Sequence, residues 1–410
     1  MSHPALHRCP LSDIGQMTHR TQWEAIEMTT QFDVVVVGAG YAGVVAANRL
    51  ARHPEVAVTV VNPRPVFVER TRLHQVAAGS GSATHDLVGL LHPRASLRVG
   101  TAERITPDAV TLDDGTVLRC DAVVYAAGSG PVTGAVPGIE RAFAVSDLES
   151  ATALHSALAG LPAHAPVVVV GSGFTGIEAV AELASELPGP AYSLVGDPGA
   201  SFPGGTRAYV NRTLDGFGVR VLRGVHATDL TEGEVMLDDG TAVPAALAVW
   251  TGGFSVPDLA RCSGLPVDDV GRLRVDATLQ SADGTAVVGV GDAVTVAGQD
   301  YIRMSCQAAM PLGAHGADTV WNLLQGRRPE PLSLRFVSQC LSLGRGRGAV
   351  QATTREDAPT AFSLRGRIAA PVKESILRAT IMSMRRQARG RDFRGSAGQR
   401  VALRPARSAQ

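Results

Sequence analysis

Two stretches of the chain pass from a run of valines, through a glycine-rich turn, into apolar residues at helical spacing. They read VVVVGAGYAGVVAANRL, with glycines at 38, 40 and 43, and VVVVGSGFTGIEAVAEL, with glycines at 171, 173 and 176. Four valines can form a strand that is buried on both faces. The glycines then let backbone N–H groups approach a pyrophosphate at the helix N-terminus. The two units predict two dinucleotide sites.

The hydrophobic pattern extends each unit to a strand, a helix and a second strand. The first unit has predicted strands at 32–37 and 56–61, joined by a helix from Tyr41 to Arg52. Residues 166–197 repeat this order, with the second strand near 191–195. Because strand-helix-strand crossovers join parallel strands, both halves are expected to contain a parallel sheet.

Each half also carries a similar second part. The segments 116–132 and 241–257 resemble each other, and each follows an Asp-Asp-Gly-Thr turn. A buried strand is predicted at 285–296, ending in Gly291-Asp292, and helical patterning continues from there to about Leu324. The halves are therefore interpreted as duplicated nucleotide-binding units.

The predicted fold class is α/β, with two Rossmann-like domains and a C-terminal α/β region. The first domain is discontinuous, at 31–147 and 256–326, and the second is inserted at 148–255. The C-terminal region at 327–410 contains short strands, a basic amphipathic helix at 371–389 and a Gly/Arg/Ser-rich end that is expected to be disordered.

Composition narrows the class of protein. The 410 residues contain no apolar run long enough for a spanning helix or a signal peptide, so a cytoplasmic location is expected. Five scattered cysteines argue against a disulfide framework and against a metal site: Cys9, Cys120, Cys262, Cys306 and Cys340. Residues 1–30 are expected to be a disordered leader or to precede the true start, since Met28 begins a natural-looking N-terminus.

Charge is unevenly distributed although the formal net charge is zero. From residue 361 onward there are twelve Lys or Arg and two acidic residues, a net of +10, which leaves −10 for residues 1–360. The Gly344–Gly348 stretch has no interleaved aromatic residues to stack on bases, so nucleic-acid binding is not expected.

With these motifs assembled, the chain resembles the two-dinucleotide-binding flavoprotein reductases, most closely the type II NADH dehydrogenase-like branch, from Phe32 to the basic helix. The resemblance implies that the first site holds FAD and the second holds NADH or NADPH. The FAD contacts it implies are Gly38, Gly40, Tyr41, Ala42, Gly43, Asn62, Ala126, Ala127, Gly128 and Asp292. The NAD(P)H contacts it implies are Gly171, Gly173, Phe174, Thr175, Gly176, Glu178, Gly196, Asp197, Gly252 and Gly253.

Two departures bear on the nucleotides. Asn62 stands where an acidic residue would bind the FAD ribose, and an amide can still accept and donate there. In the second unit Gly196 leaves room for the 2′-phosphate of NADPH, but the Asp197 carboxylate would repel it, and the nearest arginine, Arg207, is ten residues on. We therefore predict NADH, with NADPH as the alternative.

The resemblance implies an oxidoreductase that passes electrons from NADH through FAD to a quinone or another small acceptor. Gln307 matches the first of two quinone-facing glutamines in respiratory relatives, while Pro311 replaces the second. By the same resemblance His74 is a candidate donor of a proton or of a hydrogen bond beside the flavin. No Cys-x4-Cys pair follows the first unit, which disfavours disulfide reduction. Paired-cysteine sulfide oxidation stays formally open, and so does a redox role for Cys306.

Several alternatives remain open from the sequence. The enzyme could be a ferredoxin-type reductase or a tailoring oxidoreductase of secondary metabolism, or an NADH-sensing flavoprotein similar to apoptosis-inducing factor, without significant turnover. The apolar stripe of the basic helix, from Ile368 to Met384, fits peripheral contact with an anionic membrane. It fits burial against the protein body or in a homodimer equally well.

Overall fold

The computed structural model describes residues 32–391, so the predicted leader at 1–30 and the end of the tail beyond 391 lie outside the described residues. Numbered in chain order, the strands are β1 (Phe32–Val37), β2 (Val56–Asn62), β3 (Val66–Val68), β4 (Thr84–Asp86), β5 (Ala95–Val99), β6 (Ala102–Thr106), β7 (Ala109–Leu112), β8 (Val117–Arg119), β9 (Ala122–Tyr125), β10 (Phe143–Ala144), β11 (Pro166–Val170), β12 (Ala191–Val195), β13 (Arg220–Leu222), β14 (Ala227–Thr231), β15 (Glu234–Leu237), β16 (Ala242–Pro244), β17 (Leu247–Trp250), β18 (Leu273–Val275), β19 (Val287–Gly289), β20 (Val294–Val296), β21 (Ser338–Ser342), β22 (Gly348–Thr353) and β23 (Pro359–Gly366). The α-helices are α1 (Tyr41–Leu50), α2 (Leu73–Ala78), α3 (Leu148–Ala159), α4 (Phe174–Glu186), α5 (Gly204–Gly216), α6 (Leu259–Cys262), α7 (Cys306–Leu324) and α8 (Ala369–Ala388).

The first glycine motif lies in a five-stranded parallel sheet with strand order β19-β9-β1-β2-β5. Val34 to Val37 of the central strand are buried, as the valine run predicts. Helices α1 and α7 pack closely on this sheet, since a Cβ on Gly313 of α7 would lie 2.2 Å from the carbonyl oxygen of Ala42 in α1. This contact places the middle of α7 against the first turn of α1.

The second glycine motif lies in a matching parallel sheet with strand order β10-β17-β11-β12-β13. Its central strand β11 enters helix α4, just as β1 enters α1. The edge strand at Phe143–Ala144 lies just before position 148, where we placed the start of the inserted domain. The predicted α/β class with two parallel sheets is confirmed.

The duplication extends to a three-stranded antiparallel meander in each half, β6-β7-β8 and β14-β15-β16. The Asp-Asp-Gly-Thr turns connect equivalent strands in the two meanders. The single strand predicted at 285–296 is wrong: Gly291 takes a positive φ of 80° and begins a short 3-10 turn, which divides the segment into β19 and β20.

The C-terminal region consists of the antiparallel sheet β21-β22-β23 followed by helix α8, which packs against β22 and α1. Leu377, Ile381 and Met384 of the predicted apolar stripe are buried against the body. Ile376, by contrast, is 40% exposed. Within residues 32–391, no helix combines the length and the apolar character needed to cross a bilayer.

Candidate active site

The first glycine turn is built by close backbone contacts. Gly38 has φ 100°, and a Cβ there would lie 2.3 Å from the carbonyl oxygen of Ala126. A Cβ on Gly43 would lie 1.9 Å from the carbonyl oxygen of Gly38. In contrast, a Cβ on Gly40 would meet nothing within 4 Å. The first and third glycines therefore pack the turn, and the middle one leaves its outer face open to a ligand.

Asn62, at the end of β2, closes this turn. Its side-chain oxygen accepts a hydrogen bond from the Ala39 N–H at 3.0 Å, and its side-chain nitrogen donates to the Arg64 carbonyl at 2.7 Å. An amide can do both at once, whereas a carboxylate can only accept. Asn62, which stands where an acidic residue is expected, thus stabilises the turn beside the predicted FAD ribose position.

Arg70 is a site residue that the sequence did not single out. It donates to the hydroxyl of Ser129 at 2.7 Å and to the carbonyl of Ser146 at 3.0 Å, and it lies 3.7 Å from the carboxylate of Asp292. Burial lowers the pKa of Arg70, and the nearby Asp292 opposes that shift. Its guanidinium also lies over the Phe254 ring, with 5.5 Å to the centroid. A charged residue thus ties the Asp292 loop to the second nucleotide-binding unit.

The second glycine turn repeats the first in geometry. A Cβ on Gly176 would lie 1.8 Å from the carbonyl oxygen of Gly171, and a Cβ on Gly171 would lie 2.8 Å from the Gly252 nitrogen. Thr251 fixes the turn by contacting the carbonyl oxygens of Val170 and Gly171 at 2.8 Å each. A Cβ on Gly173 would meet nothing within 4 Å. The same glycine again presents open space.

Glu178, predicted at the nicotinamide end, is bound by the C-terminal region. Its carboxylate forms an ion pair with Lys373 of α8 and accepts a hydrogen bond from the Ser342 N–H of β21 at 2.8 Å. The side chains of Glu178 and Lys373 are 12% and 8% exposed. Lys373 therefore does not belong with the surface cations that we placed around the basic helix. It is buried because its charge is matched inside the protein.

One cavity of about 1100 Å³ contacts both glycine turns and reaches helix α8. It passes along residues of the first motif, the Ala126–Ser129 loop and Asp292. Its other walls include Gly173, Phe174, Thr175 and Glu178 of the second unit. Beyond these two regions, the part of the cavity that we call the third compartment is lined by Met310, Pro311, Lys373, Ile376, Leu377 and Thr380. The two dinucleotide positions and an apolar compartment thus share one continuous cavity.

His74 and Gln307 both line this cavity, the first as a buried imidazole and the second with its amide bound to the C-terminal sheet. Burial lowers the pKa of His74 to about 4, so its ring is neutral at pH 7, and its Nε2 has no hydrogen-bond partner within the described residues. Gln307, in the amide orientation that satisfies both atoms, donates to the Ser338 carbonyl at 2.9 Å and accepts from the Val337 N–H at 3.0 Å. Gln307 therefore fastens α7 to the C-terminal sheet.

Cys306 and Cys340 line the cavity as well. Burial raises the pKa of Cys306 to about 11, and it also raises the pKa of Cys340. Since the thiolate is the reactive form, both are poor nucleophiles at neutral pH, which argues against paired-cysteine chemistry. Among the residues at 32–391, no group of His, Cys, Asp and Glu could hold a metal ion.

The far end of the second unit contains a charge cluster that the linear sequence conceals. Asp197 lies 4.0 Å from Arg207 and 4.0 Å from Arg223, measured between the carboxylate and the nearest guanidinium nitrogens. Arg207 is ten residues away along the chain, yet helix α5 returns it to the end of β12. The absence of an arginine near Asp197, assumed from sequence spacing, is wrong.

The fold and the cavity together define a two-dinucleotide oxidoreductase, and the comparisons agree. Residues 32–313 match the family model described as pyridine nucleotide-disulphide oxidoreductase. The chain is 31% identical over 348 residues to an NADH dehydrogenase-like protein of Mycobacterium tuberculosis, covering 76% of this chain and 85% of that relative. It is 26% identical to the demethylphylloquinone reductase of Synechocystis, covering 76% and 84%.

Among solved structures, the sulfide:quinone oxidoreductase of Aquifex aeolicus has the same fold, with a TM-score of 0.73, 18% identity and coverage of 87% of this chain and 92% of that one. The chain belongs to the pyridine nucleotide-disulphide oxidoreductase family, and its NADH dehydrogenase-like branch is the one that the sequence predicted. It is an NAD(P)H oxidoreductase.

Proposed function

We propose that this protein binds FAD at the first glycine turn and NAD(P)H at the second, and that it reduces a quinone in the compartment under helix α8. The open face at Gly40, the Asn62 amide and the Ser129-Asp292 pair fit the pyrophosphate and polyol chemistry of FAD. When bound, FAD would accept a hydride from NAD(P)H and deliver electrons to the acceptor. The protein's part is to align the two ligands.

The continuity of the cavity carries this proposal. Gly40 and Gly173, the two glycines with open faces, line the same cavity, so ligands held at the two turns can approach each other within it. Arg70 lines the same cavity, with its guanidinium bound to Ser129 and positioned over Phe254. A half-buried cation in this cavity favours negative charge that develops during reduction.

A quinone suits the third compartment on chemical grounds. Met310, Pro311 and Leu377 supply apolar walls for a ring, and the Lys373 ammonium supplies a hydrogen-bond donor for a ring carbonyl. The Gln307 amide uses one N–H for the Ser338 carbonyl, which leaves its second N–H as a further donor. The relative from Synechocystis is a demethylphylloquinone reductase, which supports this class of acceptor.

We also propose that helix α8 lies on an anionic membrane. Ile376 and Met382 of the helix are 40% and 51% exposed, and Ile368 and Phe362 just before it are 70% and 64% exposed. The surrounding tail carries the chain's excess of arginine. Exposed apolar side chains flanked by cations partition into the interface of anionic lipids. Ile376 also lines the cavity, so a lipid-soluble acceptor would reach the site from this face.

The test begins with a visible spectrum of the purified protein, followed by anaerobic titration with NADH and then addition of a soluble quinone. Bleaching of a flavin spectrum by NADH, with recovery on adding quinone, is expected. A colourless protein that stays colourless after incubation with FAD would overturn the proposal. Bleaching that only reverses slowly with quinone would favour the nucleotide-sensing alternative.

Two valine substitutions distinguish the two nucleotide sites, and a third serves as their control. Because a Cβ on Gly173 meets open space, Gly173→Val should keep the fold and the bound flavin while raising KM for NADH steeply. Gly40→Val should instead lower flavin content. Gly189→Val, in an exposed loop where a Cβ also meets nothing within 4 Å, is the matched control and should change neither property.

A further inference from the structure

Two arginines that are far apart in the sequence converge at the end of β12. Arg207 lies on α5 and Arg223 directly follows β13, and each has a guanidinium nitrogen 4.0 Å from the same carboxylate oxygen of Asp197. Their side chains are 45% and 46% exposed. At 4.0 Å the pairs are loose, so both guanidinium groups keep donors free for a further anion.

The cluster is organised by its neighbours. Asn211 accepts a hydrogen bond from Arg223 at 2.5 Å and donates to the Arg207 carbonyl at 2.7 Å. The Gly224 N–H donates to the Asp197 carboxylate at 3.3 Å. One asparagine thus connects the two arginine-bearing segments. A binding site whose donors are already arranged loses less entropy when a ligand arrives.

The position of the cluster identifies what it faces. Gly196 has φ 118°, and a Cβ there would lie 2.5 Å from the Ser172 hydroxyl oxygen. Ser172 stands between the first two glycines of the second turn, so the cluster adjoins the turn on its adenosine side. In this fold the residue ending the second strand reads the ribose 2′ position. Gly196 occupies that place without a side chain.

We propose that Arg207 and Arg223 form a binding site for the 2′-phosphate of NADPH, so that the protein accepts NADPH as well as NADH. The inference rests on the proposed NAD(P)H function of the second unit. With one carboxylate and two guanidinium groups, the cluster carries a net charge of +1, which attracts a phosphate monoester. Guanidinium forks also match phosphate oxygens in pairs. The Asp197 carboxylate stays available for the 2′-hydroxyl of NADH.

Binding of nucleotide fragments tests the site without relying on turnover. In calorimetric titrations, 2′,5′-ADP should bind the wild-type protein about 10-fold more tightly than 5′-AMP does, since the two differ in the 2′-phosphate. Arg207→Gln and Arg223→Gln should each weaken 2′,5′-ADP binding about 10-fold, the usual effect of losing a hydrogen bond to a charged group. Arg212→Gln, exposed on the same helix α5, is the matched control.

Kinetics provide the second readout. The ratio of kcat/KM for NADPH to that for NADH should fall about 10-fold in either arginine variant, while Asp197→Asn should raise it. Equal affinities of 2′,5′-ADP and 5′-AMP for the wild-type protein would overturn the inference. An unchanged ratio of kcat/KM values in the variant that carries both Arg207→Gln and Arg223→Gln would also overturn it. NADH would then still bind and reduce the protein. If neither NADH nor NADPH bound, the proposed function itself would fail, which is a different result.

Discussion

Replacing Lys373 with methionine should destabilise the protein strongly, because Glu178 would keep a buried charge without its cation. Removing one partner of a buried pair costs about 3–5 kcal/mol. Both side chains retain some exposure, 8% for Lys373 and 12% for Glu178, which places the expected cost near the lower limit, about 3 kcal/mol. The Ser342 N–H would remain the hydrogen-bond donor to Glu178.

The measurement is thermal unfolding followed by circular dichroism. A loss of about 3 kcal/mol should lower the midpoint by roughly 3–4 °C, because the entropy of unfolding grows with the length of the chain. The double variant Lys373→Met with Glu178→Gln removes both charges, and its amide oxygen can still accept from Ser342, so about half of the loss should return. If the single variant melted within a degree of the wild type, or the double variant were worse than the single, the ion pair would not stabilise this contact.

Three further perturbations follow from the structure. The pKa of His74 is lowered from 6.5 to about 4, so the unfolded chain binds the extra proton first as pH falls. Stability should therefore be full above pH 6.5 and decline by about 3 kcal/mol on the way to pH 4, a loss that His74→Gln should largely remove in acid titrations. Met382→Glu should reduce co-sedimentation with anionic vesicles several-fold and leave zwitterionic vesicles unbound; equal binding of variant and wild type would refute the proposed lipid contact. Arg70→Met should weaken FAD retention about 10-fold, measured by flavin release on dilution, because Ser129 and Asp292 lose their cation; unchanged retention would show that Arg70 is dispensable for flavin binding.

Local patterns were sufficient to predict the framework of the two nucleotide-binding units. The predicted strands at 32–37 and 191–195 match β1 and β12, and the helix predicted at 371–389 is found at Ala369–Ala388. These elements depend on side-chain periodicity and on glycines at fixed offsets, which are properties of neighbouring residues. The valine runs succeed for the same reason, since burial on both faces removes any polar alternation.

The contacts that complete the site depend on chain segments that meet only after folding. The sequence around Glu178 does not indicate that its cation, Lys373, lies 195 residues further on. Sequence spacing likewise does not predict that Arg223 lies beside Asp197. The amphipathic pattern of α8 fits contact with lipid and burial against the protein equally well, because periodicity does not identify what covers an apolar face. Gln307 was read by motif position alone, whereas its amide is held by a strand that periodicity could not place against α7.

The burial of Lys373 has a chemical consequence, because it is the only lysine among the 410 residues. The ε-amine of Lys373 lines the cavity and is paired with the Glu178 carboxylate. All other long cationic side chains of the sequence are arginines. Acylating reagents that ignore arginine therefore have a single side-chain target, and their rate of reaction reports how often this compartment opens. A bound acceptor analogue should slow the acylation of Lys373, so the labelling rate of this one amino group measures how much of the third compartment is occupied.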